Sequence, residues 1–129
     1  MISSIYKICR TSWGIYIELS GSYKGLSKSE GLYKVTEKLY LELSNKAYPE
    51  SMGFNSNELG YLLQGLRFVS QQIEEHSEFD KTVVVIDSIL VNHCDYQEEE
   101  IIPAVIGWAG KAFGFQTDEI AYEYNKEKI

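Results

Sequence analysis

Apolar positions along this chain of 129 residues follow three different periods, and each predicts a different kind of element. Strict alternation marks the start. Ser4–Arg10 is rich in β-formers, and Ile15, Ile17 and Leu19 alternate with Tyr16 and Glu18, as a half-buried strand requires. The short link around Thr11–Gly14 joins the two strands into an N-terminal β-hairpin. Gly21–Gly25 then reads as a turn. It lacks the Gly-Lys-Ser/Thr with which a phosphate-binding loop reaches phosphate and magnesium.

A helical period follows. Ser27-Lys28-Ser29-Glu30 has the form of a capping box, in which Ser and Glu satisfy each other's end of the first turn. It predicts an amphipathic helix with Leu32, Val35, Leu39 and Leu43 on one stripe and Tyr33 and Tyr40 beside it. Pro49 disfavours helical geometry at Tyr48, so this helix ends near Asn45–Ala47. Asn55-Ser56-Asn57-Glu58 opens a second amphipathic helix. Its stripe of Leu59, Leu62, Leu63, Leu66, Val69 and Ile73 is the strongest periodic signal in the chain.

The third pattern is a continuous run, Val83-Val84-Val85-Ile86, the signature of a central strand buried on both faces. After it, Asp95-Tyr96-Gln97-Glu98 caps a further helix. Pro103 means that the helix either kinks there or starts near Ile102 after a short acidic turn. Ile101 to Phe113 carries little polar surface, which predicts a mostly buried helix. Gly107 and Gly110 would admit a close neighbour, and Gly114 stops the helix. Ile120, Tyr122 and Tyr124 alternate as a possible C-terminal strand. These elements make one globular domain, residues 1–129, of the α+β class (two-layer α/β). Its parts are an N-terminal hairpin, two amphipathic helices, a central strand, a buried helix and a last strand.

Composition narrows the function. With 44% hydrophobic and 24% charged residues the chain has the balance of a soluble globular domain. No apolar run approaches the roughly 20 residues of a membrane helix. The start, MISSIYKICR, lacks the apolar core and cleavage site of a secretory signal, and Cys9 and Cys94 are too few for a disulfide framework. The expected compartment is the cytoplasm. The net charge of −7 argues against a nucleic-acid partner, whose phosphates call for Lys and Arg. The charge is also unevenly placed. Residues 1–50 carry seven basic and five acidic side chains, whereas residues 51–129 carry five and fourteen. From Glu74 to Glu100 nine acids face one base, Lys81. Such a face either steers a basic protein partner or simply aids solubility.

Reactive groups are sparse. His93 and Cys94 are adjacent, so on a strand their side chains point to opposite faces and cannot form a nucleophile–base pair. There is no CxxC, HxxxH or HExxH spacing for zinc. The expectation is a non-enzyme with no cofactor and no metal. Ten tyrosines, several of them expected at the surface (Tyr16, Tyr23, Tyr61, Tyr96), suit an interface that mixes contact area with a polar tip. Alternated with carboxylates, they suit a partner rich in Lys and Arg.

Residues 49–65, PESMGFNSNELGYLLQG, resemble the barstar family of small acidic ribonuclease inhibitors at Pro49, Glu50, Gly53, Asn55, Leu59, Leu63 and Gly65. The expected order of elements is similar as well. In that family the second helix and the link before it plug the nuclease active site with carboxylates; the corresponding acidic positions here read Asn57 and Tyr61. The resemblance, with the acidity and small size, implies a bacterial immunity protein, an antitoxin that blocks a basic toxin, a nuclease first of all, by occluding its active site. Glu74, Glu75, Glu78, Asp95, Glu98, Glu99 and Glu100 would engage the partner, with Tyr61 and Tyr96 as anchors. The chain would be a monomer or homodimer. Two other classes stay open: a small enzyme or ligand-binding domain with a pocket near His93 and Trp108, and a structural subunit self-associating through the third helix at Gly107 and Gly110.

Overall fold

The structure is a computed structural model that describes residues 2–9, 14–27, 31–43, 56–91 and 98–117. Its centre is a five-stranded mixed sheet of strands β1 (Ile2–Cys9), β2 (Gly14–Gly25), β3 (Tyr33–Thr36), β4 (Leu39–Leu43) and β5 (Thr82–Val91). They lie in the order β1-β2-β5-β4-β3. Helices α1 (Ser56–Phe68), α2 (Ser70–His76) and α3 (Ile101–Phe113) complete the α+β fold. The run Val83–Ile86 sits in the middle strand, as its unbroken apolar character requires.

All neighbouring strands are antiparallel except β4 and β5, which run parallel with Leu41 opposite Val84. A parallel pair cannot be closed by a tight turn. Here α1 and α2 lie in the connection between its two strands. Ile17, Leu19, Leu39, Leu41, Val84 and Ile86 point from the sheet into one core with Leu62, Leu66, Val69 and Ile73 of the α1–α2 stretch. Ile101, Val105, Trp108 and Ala109 of α3 complete it.

The expected first helix is absent: its second half is the β3–β4 hairpin. Leu39-Tyr40-Leu41-Glu42-Leu43 satisfies the period of 2 as well as the helical stripe, and Leu39 and Leu41 are fully buried while Tyr40 and Glu42 are half-exposed. What decides between the periods is the open edge of β5, whose backbone groups need a partner. The turn at Glu37–Lys38 is held by the Lys38 amide donating to Thr36 Oγ1 at 3.2 Å. Residues 28–30 of the expected capping box lie outside the described residues.

Gly21–Gly25 is also strand, not turn. β2 runs on through an irregularity between Ser20 and Gly21, where β5 spends one extra residue, Asp87. Gly21 marks a close approach: a Cβ there would strike the Val85 carbonyl and meet the Trp108 ring at 3.2 Å. The second helix exists but is broken at Val69. Ser70 Oγ donates to the Arg67 carbonyl at 2.9 Å, a local bond that competes with the helical ladder.

The third helix follows the second of its two expected forms. One 3-10 turn, Glu98–Glu100, precedes α3, which begins at Ile101 with Pro103 in its first turn. Gly114 ends it with φ 78°, a left-handed cap whose amide donates to the Gly110 carbonyl at 2.9 Å. Of the two α3 glycines, Gly110 is approached closely, by Thr117 and the Phe115 carbonyl, while nothing lies near Gly107. The apolar surface of α3 is thus consumed inside the chain. The expected C-terminal strand lies outside the described residues.

Candidate functional site

The described acids among those singled out from sequence, all but Asp95, fall at opposite ends of one helix. His76, the last residue of α2, sets its ring against Phe115 with 5.4 Å between centroids. Glu74, Glu75 and Glu78 therefore lie near the C-terminal end of α3. Glu98–Glu100 lies at its N-terminal end, and the 1.5 Å rise per residue puts roughly 20 Å between the two groups.

The second group is not uniformly turned to solvent. Glu99 is exposed, but Glu100 is only 7% exposed and accepts a hydrogen bond from the Tyr6 hydroxyl at 3.1 Å. A carboxylate that leaves water must find such donors, and Tyr6 of β1 supplies one. Glu100 is thus held by the fold itself. Tyr61 is half-buried on α1 and packs against the core. Tyr16 and Tyr23 are half-buried as well. Asp95, Tyr96, His93 and Cys94 lie outside the described residues.

The first group has neighbours that sequence reading missed. The Thr82 amide donates to the Lys38 carbonyl at 2.9 Å, and the Leu26 amide donates to the Lys81 carbonyl at 2.9 Å. These bonds draw the β3–β4 turn, the end of β2 and the loop before β5 to one end of the sheet. Glu37, Glu75, Glu78 and Asp80 are all exposed there, with Glu74 half-exposed and Lys38 and Lys81 the opposing bases. Phe79 stands among them, 37% exposed. Its ring meets Tyr23 edge-on at 6.4 Å and covers Gly25, where a Cβ would come within 2.9 Å of it.

Ser77 builds the loop that presents Phe79. Its hydroxyl bonds Thr82 Oγ1 at 2.6 Å and accepts from the Phe79 amide at 3.2 Å. Glu37 was hidden from the sequence because its segment fits a helical stripe. Phe79 and Asp80 stood in plain view within the acidic run, but nothing in a single chain says which loop residues a fold exposes. The assembled rim can pair with ammonium and guanidinium groups, and Phe79 offers them a ring face and apolar contact.

Two other candidate features have structural explanations. Trp108 is fully buried, and its Nε1 donates to the Ile2 carbonyl at 2.9 Å, tying α3 to β1. The His76 Nδ1 lies 2.8 Å from the Gln72 carbonyl, a contact within its own helix. Among the described residues no three His, Cys, Asp or Glu side chains converge as a metal site, and no helix is long and apolar enough to cross a membrane. No protein-family model, curated protein or solved structure matches the chain.

Proposed function

We propose that this chain is an acidic immunity-type protein that binds a basic toxin, a nuclease first of all, and blocks it by covering its active site. The observation that carries the reading is the end of the sheet at the start of β5, where Glu37, Glu74, Glu75, Glu78 and Asp80 gather at the same end as the part-exposed ring of Phe79. Clustered carboxylates raise the encounter rate with a basic partner, and a central aromatic provides apolar contact once the surfaces meet. The likeness of residues 49–65 to the barstar family supports the same class of partner, although the acids here gather at α2 and the following loop rather than on α1.

The test is to recover the tagged protein from its native host at low and high salt and identify what accompanies it. A single basic protein in stoichiometric amount is expected. With that partner in hand, the triple variant Glu75→Lys, Glu78→Lys, Asp80→Lys should slow association on the order of 10- to 1000-fold at low salt, with a smaller effect at high salt. Phe79→Ala should instead act mainly on dissociation. Recovery of the chain alone from cells that make a cognate toxin would sink the proposal.

A further inference from the structure

The sheet has a second face, and its two halves differ. Over β5, Val83 and Val85 point away from the main core, yet they are 1% and 8% exposed. Lys24 on β2 and Glu42 on β4 flank them, and the Lys24 ammonium reaches Glu42 at 3.3 Å across the strand between. In register, Lys24 and Tyr40 flank Val83, and Ser22 and Glu42 flank Val85.

Among the described residues, the other half leaves large apolar side chains exposed. Ile5 on β1 pairs with Glu18 on β2, which pairs with Leu90 on β5, so the three form one row on this face. Ile5 is 55% and Leu90 57% exposed. In the next row Lys7 pairs with Tyr16. Ser3 and Ser20 close the patch on its other side, their hydroxyls 2.8 Å apart.

We propose that this half-face is the contact surface for a second copy of the chain. Its charge is the argument. The chain carries −7 overall, yet among the described residues the rows of Ile5 and Lys7 hold one cation, Lys7, diagonal to one anion, Glu18, with Asp87 beyond Ser20 at the β5 irregularity. A strongly basic partner finds little to attract it here. A two-fold axis passing between Lys7 and Glu18 places each opposite the other in the facing copy and brings Ile5 near its own counterpart, as a self-complementary contact demands. The patch spans three strands, which sets the contact at the small end of specific interfaces, so a weak dimer with a dissociation constant on the order of tens of micromolar is expected. This face is separate from the acidic rim, and the inference does not depend on the toxin-binding reading.

Sedimentation equilibrium of the purified full chain from about 1 to 500 µM tests it, a range bracketing the strength expected for so small an interface. The wild type should pass from monomer to dimer. Ile5→Asp and Leu90→Asp, both at sites more than half exposed and so compatible with folding, should each weaken the dimer at least about tenfold. Lys7→Glu should weaken it also, and adding Glu18→Lys should restore it by re-forming the pair with the signs exchanged. Circular dichroism confirms that each variant is folded. A wild type that stays monomeric throughout, a dimer indifferent to both aspartates, or a double charge exchange that fails to recover association would each overturn the proposal.

Discussion

Gly65 shows how tightly the helical layer is fitted. A Cβ at this position would collide with Val105 Cγ1 and come within 3.0 Å of the Ile102 carbonyl, so α1 can cross α3 closely only because the side chain is missing. Gly65→Ala should cost roughly 1–3 kcal/mol, the usual range for overpacking, measured by chemical denaturation. Gly60 lies in the same helix with nothing near its Cβ position. Gly60→Ala should therefore be neutral or stabilising by up to about 1 kcal/mol, since alanine is the better helix former. If both variants lose stability equally, the close crossing is not what Gly65 serves. Both glycines look alike in the sequence. Only the residue across the interface separates them.

At the scale of elements, the β3–β4 hairpin is the informative one. Leu41 is fully buried between β5 and the helices, whereas Tyr33, its cross-strand partner on the edge, is 42% exposed. Leu41→Ala should cost roughly 2–5 kcal/mol, the range for a buried leucine. Tyr33→Ala should cost under about 1 kcal/mol, because little area leaves the core with it. Were this segment a surface helix with one apolar stripe, Tyr33 would lie beside the stripe and the contrast would shrink. The Glu42–Lys24 pair is solvent-exposed, at 34% and 53% of the side chains, and contributes at most about 1 kcal/mol by its charges.

For the whole molecule, one core joins the sheet to every helix, from Ile17 on β2 and Leu41 on β4 to Ile73 on α2 and Trp108 on α3. Among the described residues no subset of elements owns a separate core. Unfolding should be a single cooperative transition, with tryptophan fluorescence and far-ultraviolet circular dichroism giving the same midpoint. Two transitions would mean that the β3–β4 hairpin or the helices detach on their own. The charge distribution also belongs to this scale. One acidic run in the chain becomes two groups at opposite ends of α3, because strand β5 carries the chain along the sheet between Glu78 and Glu99.

The sequence by itself determined the class of fold, the N-terminal hairpin, the middle strand, the stripe of α1, and the stop of the buried α3. In each case one period or one backbone signal stood without a rival, as with Val83–Ile86 or Gly114. Tertiary structure alone decided the segment around Val35–Leu43, where helical and strand periods both fit and an unpaired sheet edge chose between them. It alone extended β2 through Gly21 and placed Trp108 over it. It also decided which carboxylates stand together: Glu37 joins Glu75, Glu78 and Asp80, while Glu100 turns inward to Tyr6. The physical reason is range. Local backbone preference and side-chain period act over a few residues, whereas strand pairing, close approach and shared surface charge join residues tens of positions apart.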